Sequence, residues 1–82
     1  GDDPYRYAAC ASPEALLAQF QTAQVEQQAQ MWQDAVMADM ACRAAEADHP
    51  RYDELQCAAG QWQAVLQWVQ AQGQLPFKTL AA

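Results

Sequence analysis

Ala47-Asp48-His49-Pro50-Arg51-Tyr52-Asp53-Glu54-Leu55 is the stretch on which the fold turns. Proline disfavours helical geometry in the residue before it, so a helix arriving from the N-terminal side breaks at His49. The same proline suits the first turn of a new helix, where its missing N–H has no partner to lose. Asp53 and Glu54 then fill a first turn, where the helix dipole favours carboxylates. One helix therefore ends here and another begins, with a connection too short for anything but an antiparallel pair.

Working outward, Ser12-Pro13-Glu14 repeats the start signal: an N-cap, a proline at the first helical position and an acid in the first turn. From Glu14 to Gln72 the only strong breakers are Pro50 and Gly60, and Gly73 followed by Pro76 closes the second helix. Ala and Gln supply 19 and 14 of the 82 residues, and both favour helix. The expected architecture is all-α: an antiparallel two-helix hairpin with a long helix 1 (13–47) and a shorter helix 2 (50–72). An N-terminal arm (1–12) and a C-terminal tail (73–82) are expected to pack on it, the whole chain 1–82 forming one domain. Helix 1 would span roughly 52 Å and helix 2 roughly 34 Å. The first turns of helix 1, with Leu16, Leu17 and Phe20, then need other cover. The segment Leu75-Pro76-Phe77-Lys78-Thr79-Leu80, or another subunit, is expected to supply it.

Four Lys and Arg against ten Asp and Glu leave a net charge of −6. Nucleic-acid binding needs clustered cations, and anionic membrane surfaces attract them, so neither partner is expected. No apolar run approaches the roughly 18 residues of a membrane-spanning helix. Gly1 follows a processed leader or a cleaved tag on this reading, which places the chain in the cytoplasm or, if a leader was removed, outside it.

Two apolar seams run along the pair. The core seam is expected to join Val25, Ala29, Trp32, Val36 and Met40 to Leu55, Ala58, Ala59, Trp62, Val65, Leu66 and Val69. Antiparallel register sets Met40 beside Ala58, Val36 beside Trp62 and Ala29 beside Val69. A second seam recurs at helical spacing on one side of the hairpin: Met31, Ala35, Ala38, Cys42 and Ala45, with Cys57, Gly60, Ala64, Trp68 and Ala71. From Leu55 to Phe77 no residue is charged, whereas a solvated helix face normally carries charge. Met31, Ala35, Ala38, Cys42, Cys57, Gly60, Ala64 and Trp68 are therefore the expected partner-binding residues, suited to a helical protein or a second copy of the chain.

Three cysteines cannot all pair within one chain. Cys42 and Cys57 lie at similar distances from the turn, so a disulfide between them is geometrically possible. Cys10 lies about 48 Å from Cys42 if helix 1 is straight, far beyond disulfide reach. His49 is a turn residue on this reading. No metal-ligand spacing, phosphate loop or nucleophile motif accompanies it, so no metal, cofactor or catalytic residue is expected. Asp34, Asp39, Glu46 and Glu54 read as a solvated face.

His49-Pro50-Arg51-Tyr52-Asp53-Glu54-Leu55-Gln56, together with the size, acidity and hairpin, resembles the short helical-hairpin cochaperones of type III secretion systems. The likeness lies in the proline that opens helix 2, the aromatic two residues on and the Leu-Gln pair. It implies a cytoplasmic bacterial protein, not an enzyme, that binds a second small helical chaperone through one face. The acidic charge also suits an inhibitory or immunity protein facing a toxin's basic site. The apolar seams equally suit a self-assembling phage or secretion-apparatus component.

Overall fold

A computed structural model describes residues 3–8 and 12–72. Its secondary structure is all helical among the described residues, but there are four helices where two were expected: α1 (Pro13–Thr22), α2 (Val25–Ala44), α3 (Tyr52–Gln61) and α4 (Gln63–Gln72). The start of α1 follows its capping signal, with the Ala15 N–H donating to Ser12 Oγ at 3.2 Å.

The expected single helix over 13–47 is broken at Ala23 and Gln24, both in extended backbone geometry. No proline or glycine marks the place. Polar side chains take the backbone groups that the break frees. The Gln24 N–H donates to Gln27 Oε1 at 3.1 Å, which is half of a capping box built from glutamines. The carboxamide of Gln28 donates to the Phe20 carbonyl at 2.8 Å and so closes the end of α1. With the break made, α1 folds back and makes its most extensive contact with α4, while α2 lies along α3. Leu16 and Phe20 are thereby buried by the chain's own helices. The tail segment expected to cover them lies outside the described residues.

The turn is longer than the sequence suggests. α2 ends at Ala44 rather than Ala47, and α3 starts at Tyr52 rather than Pro50. His49 organises the turn: its carbonyl accepts from the Tyr52 N–H at 3.0 Å, and its Nδ1 accepts from the Arg51 N–H, also at 3.0 Å. Helix 2 is interrupted at Trp62, whose N–H donates to the Ala59 carbonyl at 3.2 Å in a tightened turn. The helical ladder resumes at once, with the Leu66 N–H donating to the Trp62 carbonyl at 3.0 Å.

The core gathers Leu16, Phe20, Ala23, Met31, Ala35, Trp62, Val65 and Val69. On α3 and α4 this agrees with the expected stripe at Ala59, Trp62, Val65 and Val69, with Leu55 and Leu66 half-buried, but Ala58, also expected in the core, is exposed. On α2 it does not. Met31 and Ala35 are fully buried, whereas Ala29 and Met40, assigned above to the core, are exposed. Apolar residues are spread so evenly around α2 that hydropathy hardly selects a face. The selection comes from the break: Gln28 holds Phe20, and at about 100° per residue Gln28 shares its side of the helix with Met31 and Ala35.

The arm adds a further layer. The Tyr7 hydroxyl donates to the Asp34 carboxylate, and its ring meets Trp62 edge-on at 5.9 Å between centroids. Gln27 Nε2 donates to the Arg6 carbonyl at 2.9 Å. Of residues 3–8 only Tyr7 is half-buried against the helices, and the others are exposed.

Candidate interaction surface

Exchange of the two stripes on α2 moves the open apolar surface to the other side of the helix. Met40 follows Met31 by nine residues, about 180° around the helix axis, so it points directly away from the core. Of the described large apolar side chains, Met40 is 63% exposed and Met37 59%. Ala29, Gln33, Ala41 and Ala44 are exposed around them, and Val36 is half-buried at the margin. No exposed charged residue lies on α2 between Glu26 in its first turn and Arg43 in its last, Asp34 and Asp39 both being half-buried. At the C-terminal end it continues into an open depression lined by Ala41, Ala44, Ala45, His49, Arg51 and Leu55.

Asp34 borders this face, seven residues and about 20° from Ala41, Asp39 lies off it, and both acids are occupied. Asp34 accepts from the Tyr7 hydroxyl and from Gln30 Nε2, the latter at 2.9 Å. Asp39 pairs with Arg43 at 2.8 Å, an exposed contact of the kind that contributes at most a few tenths of a kcal/mol, about 0.3–0.5.

The residues expected to form one docking seam are dispersed. Met31 and Ala35 are in the core, because the break turns them toward α1 and α4, and they do not form an exposed surface. Ala38 and Cys42 are half-buried beside them. On the second strand of the seam Cys57 and Gly60 are exposed, while Ala64 and Trp68 are half-buried. Trp68 is partly covered by α1, its ring edge-on to Phe20 at 6.2 Å between centroids. Cys42 and Cys57 are both free thiols, so the possible disulfide is not formed. Cys10 lies outside the described residues.

Sequence reasoning gave Met40 and Ala29 to the core and passed over Met37, which belongs to neither seam. A signal was available in the uncharged run from Gln27 to Gln33 and again from Ala35 to Ala38, which leaves α2 with apolar residues on every side.

Among the described residues no three His, Cys, Asp or Glu side chains are grouped to hold a metal ion, and no helix is long and apolar enough to cross a membrane. A second open depression is lined by Asp3, Tyr5, Arg6, Tyr7, Gln30 and Asp34. Its central carboxylate is already engaged by Tyr7 and Gln30.

The chain matches no protein-family model, no curated protein and no solved structure.

Proposed function

We propose that this chain works by binding another polypeptide through the outward face of α2, as a small helical interaction module rather than as an enzyme. The observation that carries this reading is the exposure of Met37 and Met40 on a face with no exposed charge between Glu26 and Arg43. Water penalises exposed thioether side chains, and a solvated helix face normally carries Lys, Glu or Arg instead. Methionine is flexible and polarizable, which suits a surface that adapts to an apolar helix. A cochaperone that shields a helical client is one form of this activity.

Replacing Met37 with a photo-crosslinking phenylalanine analogue tests the reading in extract from the native cell. Position 37 is expected to give a discrete crosslinked product, and the same analogue at exposed Asp53 is not. Equal, diffuse labelling from both positions would remove the basis for the proposal.

A further inference from the structure

We infer, on the reading just given, that the polypeptide bound by the outward face of α2 is a second copy of this chain, with the two α2 helices packed antiparallel about a two-fold axis. Glu26, Ala29, Gln33, Val36, Met40 and Arg43 follow one another at spacings of 3, 4, 3, 4 and 3. That is the spacing of a heptad seam over about 26 Å of helix. It points away from the core: Ala29, Gln33, Met40 and Arg43 are exposed, and Glu26 and Val36 half-buried.

The order of residues in the seam is self-complementary. An isologous dimer requires that if one residue meets a second, the second meets the first on the partner. Reversing the seam about the midpoint between Asp34 and Ala35 sets Glu26 against Arg43, Ala29 against Met40 and Gln33 against Val36. Each end therefore sets Glu26 against Arg43, whose guanidinium bonds Asp39 through Nε and has further N–H groups to donate, and the small Ala29 receives the long Met40. A parallel pair would instead stack Glu26 on Glu26 and Arg43 on Arg43. Charge thus selects the antiparallel arrangement. The self-complementary order of the seam, rather than the end charges that the helix dipole favours in any case, is what favours a second copy over an unrelated helix.

Two helices in contact over this length bury an area near or below the roughly 1,200 Å² of a standard interface. The dimer is accordingly weak, with a dissociation constant on the order of tens of micromolar. Sedimentation equilibrium of the full chain at low salt, from about 5 to 200 µM, measures it. Met40→Glu is expected to weaken the dimer by at least about tenfold. Glu26→Arg alone and Arg43→Glu alone each weaken it about three- to tenfold, and the double exchange restores it to within about threefold of the original. Gln33→Leu, at an exposed position that leaves the core untouched, tightens it by about tenfold.

A monomer throughout that range, or a dimer indifferent to Gln33→Leu and to the charge exchange, overturns the inference. Crosslinking from position 37 then separates the two claims. A product containing a different protein leaves the interaction reading standing, and none at all removes both.

Discussion

Gln28 donates its side-chain N–H to the main-chain carbonyl of Phe20 at 2.8 Å, across the break that separates α1 from α2. Gln28 is buried, and its Oε1 has no hydrogen-bond partner among the described residues. The bond therefore stabilises while the other end of the same amide costs. Gln28→Met, which keeps the volume and removes both effects, is expected to change stability by less than about 1 kcal/mol. Gln28→Ala also leaves a cavity beneath Phe20 and is expected to cost about 2–3 kcal/mol. Urea denaturation of the two variants measures the difference; equal losses would show that the cavity contributes nothing.

Met31 and Met40 carry the same side chain on opposite sides of α2, one fully buried and the other 63% exposed. Met31→Ala is expected to cost about 2–4 kcal/mol by loss of apolar burial and creation of a cavity. Met40→Ala should stay within about 0.5 kcal/mol when measured at concentrations too low for association. Thermal unfolding followed by circular dichroism compares them, and the reverse ranking would restore the face assignment expected from hydropathy.

Gly60 lies in α3, exposed, with open space where a Cβ would stand. Glycine in a helix interior is less favourable than alanine because more backbone freedom is lost on folding. Gly60→Ala is therefore expected to stabilise the chain by about 0.5–1 kcal/mol, read as a higher denaturation midpoint at unchanged denaturant sensitivity. A loss of stability would mean that the tightened turn at Trp62 depends on the glycine.

Tyr7 ties the arm to the helices through Asp34 and Trp62. Tyr7→Phe keeps the ring contact and is expected to cost about 1–2 kcal/mol for the lost bond to a carboxylate. Tyr7→Ala loses the edge-on ring contact as well and is expected to cost about 1 kcal/mol more. Hydrogen exchange at Arg6 and Tyr7 should rise in both variants, and unchanged exchange would show that the arm is held by its other contacts.

Trp68 meets Phe20 edge-on, so its replacement disturbs the α1–α4 contact before it disturbs any partner. Trp68→Glu is expected to unfold or loosen α1, with a fall in helical ellipticity at 222 nm of about one tenth to one quarter, since α1 is 10 of the 50 helical residues among those described. Full retention of helicity would return Trp68 to the surface.

Local chemistry in the chain determined the helical class, the start of α1 at Ser12-Pro13 and the turn around His49-Pro50. A cap or a proline acts on backbone groups within three or four residues, so each is legible without knowing what lies across the fold. The apolar stripe of Ala59, Trp62, Val65 and Val69 was legible too, because Gln63, Gln67 and Gln70 mark the opposite side of α4 as polar. The break at Ala23-Gln24 was not. Alanine and glutamine are good helix formers, and only the burial of Leu16 and Phe20 against α4 repays leaving helical geometry there. That fold-back also decided which side of α2 faces inward. Two stripes of similar hydropathy competed for the core, and the hydrogen bond from Gln28 to Phe20 with the packing behind it committed Met31 and Ala35. An outward face bearing Met37 and Met40 therefore follows from long-range packing between α1 and α4, not from any property of α2 alone.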